Sequence, residues 1–257
     1  MSFCLIVRYF PRMYFTTSWD DGYASDLRIA DLLDKYDLTG TFYVCPKVQH
    51  GTELLTETDI RTLSKRQEIG AHTMTHPHLT RLKPDDVRKE MLESKCWIER
   101  VTGEPCTMFC YPYGDWNPEI ATLVKEAGFQ GARTTEDLRF EMNNAFAMPV
   151  TLQVMPFPFR KRFHPAWKIL DPIGPLRARF GKLRSLGISF SSMRNWNALA
   201  SALFHHALDS QQPFFHLYGH SREIERNGMW RALDEFLVKV KEEGIEPVTN
   251  GELIGKM

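Results

Sequence analysis

Short apolar runs alternate with amphipathic segments along the chain from residue 12 onward. The run "MYFTTSW" is typical of a strand, and "YASDLRIADLLDKYDL" spaces its apolar residues three and four apart, as a helix does. The same alternation predicts further strands at 40–46, 68–74, 106–114, 130–135, 147–155 and 213–220, and further helices at 56–67, 83–103, 117–129, 196–209 and 229–244. Such alternation favours parallel βαβ units, and about seven of them predict a barrel related to the eight-fold (β/α) barrel. An open doubly wound sheet is the alternative, although no Gly-rich phosphate loop follows the first strand.

Residues 156–195 break this rhythm. They contain nine Lys or Arg residues, one acidic residue (Asp171), five prolines and interleaved aromatic residues. The prolines disfavour a regular helix across the whole stretch. We therefore expect a basic insertion or long loop over one face of the barrel, and such loops are commonly functional.

Composition and charge narrow the class of protein. The chain has 257 residues, 43% of them hydrophobic and 25% charged, which suits a single domain spanning residues 1–257. A formal net charge of zero gives no reason to expect a nucleic-acid partner. Five cysteines without a CxxC pair indicate reduced thiols, and the N-terminus lacks the features of a signal peptide. We therefore expect a cytoplasmic protein.

Unusual polar residues cluster where predicted strands end. In parallel βα architectures, functional residues gather at the carboxyl ends of the strands. Four such ends carry the stretches "WDDG", "HTMTHPH", "FCYPYGDWN" and "FHLYGHSRE".

These strand ends predict a metal site. His72 and His76 are four residues apart, which places both imidazoles on one side of a helix or a strand, and neutral imidazole is a good ligand for zinc. A divalent cation also relieves the repulsion between Asp20 and Asp21. Asp21, His72 and His76 would bind the cation and leave one position open for water, whose pKa zinc lowers to about 7. Asp20 would remain off the metal, close enough to accept a proton from that water. Each motif alone is weak, because structural histidines and "DDG" turns are common.

Taken together, the motifs resemble the polysaccharide deacetylase family, the NodB-homology domain of carbohydrate esterases. "SWDDG", "HTMTH", "YPYG" and "HLYGHS" are similar to four of its motifs, in the same order, over roughly residues 14–220. The resemblance implies a distorted (β/α)7 barrel related to the TIM barrel. It also implies a metal-dependent hydrolase that removes N-acetyl groups from an amino sugar in a glycan or glycan intermediate.

The resemblance implies roles for the matched residues. Asp20 would be the general base, and Asp21, His72 and His76 would hold the divalent metal, for which we expect zinc. Two further roles complete the set: the backbone N–H of Tyr113 would help to hold the oxyanion, and His220 would be the general acid that protonates the leaving amine.

The sequence departs from the family at its third motif. The arginine that is expected to orient the catalytic base is absent from residues 109–113. Arg133 ends the next predicted strand, and we predict that it contacts Asp20 instead, because a guanidinium can hold a carboxylate in a fixed direction. The alternative is a rim arginine paired with Glu136 or Asp137. The family's fourth motif has no clear counterpart.

Three functions compete at this point. The first is deacetylation of an amino sugar, the second is hydrolysis of another C–N bond in a cyclic imide or ureide, and the third is a catalytically silent barrel that binds glycan. The presence of a base, three ligands and an acid disfavours the third. The basic segment 156–195 adds a prediction of its own, contact with an anionic membrane or a lipid-linked substrate.

Overall fold

A parallel sheet organises the chain and brings the predicted strand ends to one rim. The computed structural model describes residues 13–48, 52–160 and 171–257. Within them the strands are β1 Tyr14–Asp21, β2 Thr41–Val44, β3 Glu68–Ala71, β4 Met108–Cys110, β5 Gly131–Arg133, β6 Leu152–Gln153, β7 Phe214–Gly219 and β8 Glu246–Pro247. Every named pair is parallel, and the order is β5-β4-β3-β2-β1-β7-β6, with β8 paired to the start of β1.

The helices follow the strands as the pattern predicts. In the described residues they are α1 Asp26–Lys35, α2 Glu57–Leu63, α3 Pro84–Thr102, α4 Pro118–Glu126, α5 Gly174–Ser185, α6 Trp196–Asp209, α7 Ser221–Asn227, α8 Trp230–Glu242 and α9 Asn250–Lys256. Short 3₁₀ turns lie at Leu79–Arg81, Pro112–Gly114, Ala145–Ala147 and Ser191–Met193. The helix predicted at 83–103 is α3, which opens on a proline in its first turn and stops at Gly103, whose φ of 78° suits glycine.

The sheet curls into a distorted seven-stranded barrel rather than the open alternative. Its closing segment is 148–154, which pairs with β5 at one end and with β7 at the other. The Met148 N–H donates to Ala132 C=O at 2.8 Å, and the Val154 N–H donates to Tyr218 C=O at 2.8 Å. The continuous strand predicted at 147–155 is therefore wrong, and only Leu152–Gln153 forms a strand. Pro149 has no N–H for a ladder, and the segment changes its pairing partner midway.

Aromatic packing joins the barrel to its outer helices. Phe15 of β1 and Phe215 of β7 stack with centroids 6.2 Å apart, and Phe204 of α6 and Phe236 of α8 pack edge to face 5.7 Å apart. All four are at most 1% exposed. Such pairs add to the hydrophobic stabilisation of the core.

The basic segment is more ordered than the sequence predicts. Residues 161–170 lie outside the described part, but α5 occupies Gly174–Ser185, where we expected a loop. Its only proline, Pro175, sits in the first turn, where a missing N–H costs nothing. Among the described residues, no helix is both long and apolar enough to cross a bilayer. The prediction of a single domain over residues 1–257 stays a prediction, and the N-terminal residues 1–12, on which the leader prediction depended, are outside the described part.

Candidate active site and metal centre

The paired aspartates terminate the central strand of the barrel. Asp20 and Asp21 are the last residues of β1 and are 3% and 4% exposed. Asp21 has a φ of 78° and Gly22 a φ of 74°, so the chain turns sharply as soon as the strand ends. A non-glycine residue at positive φ is uncommon and is often found at functional sites. The turn directs the two carboxylates to different neighbours.

The two predicted histidines converge on Asp21. His72 follows β3 directly, and its Nδ1–H donates to the backbone carbonyl of Cys110 at 2.8 Å. Because a carbonyl can only accept, this bond leaves the Nε2 lone pair of His72 facing Asp21 Oδ1, 3.5 Å away. His76 Nε2 lies 3.3 Å from the same oxygen and 3.1 Å from His72 Nε2.

The loop between the histidines is held by side chains that the sequence analysis missed. Thr73 and His76 have φ values of 63° and 59°, and the Thr73 hydroxyl accepts the His76 N–H at 3.0 Å. From α3, the Glu90 carboxylate accepts the N–H groups of Met74 and Thr75 at 2.8 and 3.0 Å. Hydrogen bonds to a carboxylate are stronger than neutral ones. Glu90 therefore fixes the backbone that carries His76.

These three side chains fit a divalent cation. The ligand atoms of Asp21, His72 and His76 all lie within 4.8 Å of one another, and all three residues are buried. Asp21 Oδ1 is buried and receives no hydrogen bond from the described residues, so a carboxylate oxygen is left for a cation. Two imidazoles and one carboxylate are a ligand set that zinc uses in open sites. Against the effect of burial, contacts with Cys110 and Asp21 raise the pKa of His72, so a proton competes with a cation there.

Asp20 turns away from this cluster and pairs with Arg133. The Arg133 Nη2 donates a hydrogen bond to Asp20 Oδ1, and the arginine is fully buried. Its guanidinium carbon lies 4.7 Å from the Tyr218 ring centroid and 5.3 Å from that of Tyr43. This is the contact predicted from the sequence, and the alternative partners are taken, since Glu136 pairs with Arg139 and Asp137 with Arg179.

Electrostatics keep Asp20 ionised. Burial raises the pKa of Asp20, but the charge of Arg133, followed by His72 and His220, lowers it further, and the net direction is down. The thiol of Cys110 lies 3.9 Å from the other carboxylate oxygen. Burial raises the pKa of that thiol, so it remains protonated beside the carboxylate. Asp20 is thus held as a carboxylate on the surface of the same pocket as Asp21.

The remaining predicted residues lie around the same pocket. His220 follows β7, and its Nε2 is 3.9 Å from an oxygen of Asp20 and 3.9 Å from an oxygen of Asp21. Tyr113 has a φ of 60°, is 53% exposed, and packs its ring against His76 with centroids 4.5 Å apart. His78 stacks on the Tyr113 ring with centroids 4.1 Å apart. The chemical roles assigned to these residues stay predictions.

His216 also lies on β7, but it is a structural residue of the barrel interior. It is fully buried in β7, where Nε2 lies 2.8 Å from the Ser18 hydroxyl and Nδ1 donates to the Pro149 carbonyl at 2.9 Å. Burial, together with the charge of Arg133, lowers the pKa of His216 to about 3. It therefore stays neutral in the barrel interior.

A pocket of about 500 Å³ opens above these groups. The aspartates, His72, His76 and His220 form its base, and the lining includes side chains that the sequence analysis did not single out. These are Tyr23, Thr135, Gln153, Arg179, Tyr218, Arg222, Glu223 and Arg226. Arg179 comes from α5, so the basic segment contributes one wall of the pocket.

Comparison with known families agrees with this geometry. The family model described as polysaccharide deacetylase matches residues 10–132, which include β1 and its two aspartates, the histidine loop and Tyr113. The match covers just under half of the chain and shows a polysaccharide deacetylase segment at residues 10–132.

Relatives of this polysaccharide deacetylase segment act on different glycans. The chain is 35% identical over 111 residues to the peptidoglycan-N-acetylmuramic acid deacetylase PdaC of Bacillus subtilis, covering 42% of this chain and 23% of that protein. It is 26% identical over 114 residues to a chitooligosaccharide deacetylase of Bradyrhizobium, covering 43% and 50% of the two chains. The chain thus spans no more than half the length of either relative.

Solved structures share the fold at low identity. The Xyl-CE4 domain of a multidomain xylanase from the hindgut metagenome of Trinervitermes trinervoides superposes with a TM-score of 0.58 at 15% identity, over 95% of this chain and 91% of that one. A CE4 family pseudoenzyme from Bacillus anthracis gives a TM-score of 0.56 at 16% identity, over 96% and 66% of the two chains. The Xyl-CE4 domain and the CE4 family pseudoenzyme therefore both share the barrel of this chain, so the fold alone does not decide activity.

Proposed function

We propose that this protein is a metal-dependent hydrolase that removes N-acetyl groups from an amino sugar in a glycan or glycan intermediate. The observation that carries the proposal is the convergence of Asp21, His72 and His76 beside an ionised Asp20 at the base of one pocket. A binding module has no need of a buried carboxylate held apart from the ligand set. The family match and the substrates named for its relatives support the same reaction.

The proposed cofactor is one divalent cation, zinc by preference, held by Asp21, His72 and His76. When bound, such a cation supplies Lewis-acid chemistry, lowering the pKa of water and polarising the amide carbonyl. The hydrogen bond from His72 Nδ1 to Cys110 orients the ring for this task.

The protein's own groups would then manage the protons. Asp20 accepts a proton from the attacking water, whose oxygen forms the new bond to the acetyl carbon. As the C–N bond breaks, His220 donates a proton to the amine nitrogen, and acetate and the free amine leave. Asp20 and His220 lie 3.9 Å apart, so both reach one reacting group. Arg133 orients Asp20, and the Tyr113 backbone N–H is proposed as an oxyanion donor.

The closest competing reaction is hydrolysis of a cyclic imide or ureide, which needs the same base, cation and acid. To distinguish the two reactions, purified protein loaded with zinc would be incubated with N-acetylated oligosaccharides and, separately, with cyclic imides. Release of acetate from the sugars is expected, with no ring opening of the imides. Ring opening without acetate release overturns the proposal, and so does a zinc content unchanged in His72→Ala and His76→Ala.

We further propose that α5 faces an anionic membrane surface or presents the pocket to a lipid-linked substrate. Ile173, Arg177, Phe180 and Arg184 follow one another at helical spacing along one face of α5, and all four are exposed. Phe190, which is 66% exposed, packs against Phe180 with centroids 5.6 Å apart.

The charge distribution supports this orientation. Residues 156–195 carry nine basic residues and one acidic residue, a net charge of +8, and because the whole chain is neutral the remainder carries −8. Basic and aromatic side chains on one face of a helix are typical of binding at a lipid interface. The cytoplasmic location expected from the sequence stays a prediction.

A further inference from the structure

Arginine side chains line the pocket above the proposed metal ligands. Arg179, Arg222 and Arg226 all contribute to its wall. Arg179 is already paired, with its Nε 2.5 Å from Asp137 Oδ2. Arg222 and Arg226 lie four residues apart on α7, which places them on one face of that helix.

Tyr23 separates Arg222 from the proposed metal centre. The guanidinium carbon of Arg222 lies 5.6 Å from the centroid of the Tyr23 ring. Burial raises the pKa of Tyr23, the neighbouring Asp21 carboxylate raises it further, and Arg222 opposes them. Tyr23 therefore interacts with Asp21 on one side and with Arg222 on the other. A sugar bound with its acetamido group at Asp21 would have Tyr23 and then Arg222 as neighbours along this side of the pocket.

The charge of Arg222 faces the pocket without an acidic partner. No carboxylate of the described residues lies within ion-pair distance of its guanidinium. The nearest acid in sequence, Glu223, has its carboxylate 4.0 Å from His220 Nδ1 instead. At the pocket base, the negative charge of Asp20 is balanced by the positive charge of Arg133. On the side of α7, Arg222 therefore carries a positive charge that pairs with no carboxylate of the described residues, although Glu223 lines the same pocket.

We propose that Arg222, with Arg226 beside it, forms a subsite for an anionic group of the substrate. The ligand class is an acetylated amino sugar that carries a phosphate, pyrophosphate or carboxylate about one sugar ring away from its acetamido group. A guanidinium presents N–H groups in a planar fork that matches the oxygens of such groups. This inference rests on the proposed function for the sugar and adds the charge that the sugar bears.

Binding measurements test the subsite separately from catalysis. Isothermal titration of the full chain, both stripped of metal and loaded with zinc, would compare N-acetylglucosamine with N-acetylglucosamine 1-phosphate. The wild type is expected to bind the phosphorylated sugar about 10- to 100-fold more tightly, the range of one hydrogen bond to a charged group. Arg222→Gln should remove most of that preference and leave the affinity for the neutral sugar within about twofold.

A control variant outside the pocket and a series of anionic sugars show where the preference arises and which anionic group it favours. Arg231→Gln removes a charge from α8 at a side chain that is 91% exposed and outside the pocket, and it should leave both affinities unchanged. N-acetylmuramic acid, uridine diphosphate N-acetylglucosamine and a short polyprenyl-pyrophosphoryl N-acetylglucosamine then distinguish a carboxylate, a nucleotide-linked and a lipid-linked source.

Two results would overturn the subsite. One is equal affinity for the neutral sugar and every anionic sugar, and the other is a preference that survives in both Arg222→Gln and Arg226→Gln. Failure of the proposed function is a different result, namely no acetate from any of these sugars by zinc-loaded protein. A phosphate preference that depends on Arg222 stands in that case, because it is measured by binding.

Discussion

Arg133 and Asp20 form a buried ion pair across the barrel, although their strands are not neighbours in the sheet. Arg133 ends β5 and Asp20 lies at the end of β1, with β2, β3 and β4 between them along one side of the ring. Only closure of the barrel brings the guanidinium to this carboxylate. The Tyr43 and Tyr218 rings flank the arginine, so its position is fixed by packing as well as by charge.

Substitutions of Arg133 should distinguish its effect on the orientation of Asp20 from the effect of its positive charge. Arg133→Lys keeps a cation but loses the planar fork, and we expect turnover to fall about 10- to 100-fold, the worth of one charged hydrogen bond. Arg133→Met leaves Asp20 buried without a partner and should lower the free energy of unfolding by about 3–5 kcal/mol. Steady-state kinetics and chemical denaturation measure the two effects. Arg139→Lys, which alters an exposed pair with Glu136, is the control. Unchanged turnover in Arg133→Lys would exclude the orienting role.

Substitution of the proposed base, Asp20, or of the proposed acid, His220, should lower turnover without loss of the metal. Asp20→Asn removes proton acceptance while keeping a similar shape, and turnover should fall about 10²- to 10⁴-fold with zinc still bound. His220→Ala should cost a similar factor. Metal content by mass spectrometry and acetate release by a coupled assay report the two properties on the same samples. Loss of zinc in either variant would place that residue among the ligands, and near wild-type turnover would remove it from catalysis.

Glu90 should tune metal affinity without touching the metal. Its carboxylate accepts the N–H groups of Met74 and Thr75 and the Thr75 hydroxyl, at 2.7 Å for the last. Glu90→Gln removes the charge that strengthens these bonds, and zinc affinity should fall about 10- to 100-fold, as outer-shell changes typically do. Competition with a chromophoric chelator measures the affinity. Glu93→Gln, an exposed position on the same helix, should have no effect. Equal affinities in both variants would contradict this role.

Local sequence patterns predicted the site residues whose positions follow from the order of strands and helices along the chain. Asp20 and Asp21 end one strand, and His72 and His220 each follow another. The alternation of these strands with helices can be read directly, and parallel strands bring their carboxyl ends to one rim. Arg133 could be predicted because it ends the strand after the third motif. Glu90 and Arg222 could not, since each lies on a helix whose rotation about its axis is set by tertiary packing. The split of segment 148–154 between β5 and β7 depends on barrel closure, which no local pattern reports.

His216 should make stability depend on pH. Its pKa is lowered to about 3 in the folded chain, below the unfolded value near 6.5, so the unfolded state binds more protons between these values. This contribution is therefore fully present above about pH 6.5 and is lost as pH falls, by about 1.4 kcal/mol per pH unit. Urea unfolding at several pH values from 7 to 5 measures the slope.

Two substitutions test whether the pH dependence of the free energy of unfolding comes from His216. His216→Gln should flatten the dependence of unfolding free energy on pH by about that amount, whereas His205→Gln, an exposed position on α6, should not. If His216→Gln does not fold, the wild-type slope remains the test, and a free energy of unfolding that is level between pH 7 and pH 5 contradicts the prediction.

The exposed face of α5 should bind anionic membranes. Arg177, which pairs with Asp171 at 2.8 Å, and Arg184 lie on the same face as Phe180, and the Arg184 guanidinium carbon is 4.8 Å from the Phe190 ring centroid. Basic residues near an anionic surface contribute about 1 kcal/mol each, and partial insertion of a phenylalanine adds to this. Sedimentation with phosphatidylglycerol vesicles should therefore capture the wild type at low salt and release it as salt screens the attraction.

Matched variants separate this face from net charge. Arg177→Gln with Arg184→Gln should weaken binding about 30-fold, the equivalent of two basic contacts. Phe180→Ser should weaken it further and also reduce the fraction that resists salt. Lys65→Gln with Arg231→Gln removes the same charge from exposed positions outside the basic segment and should leave binding unchanged. Equal losses in the two double variants would mean that overall charge drives adsorption, and no binding by the wild type would leave α5 as a wall of the pocket alone.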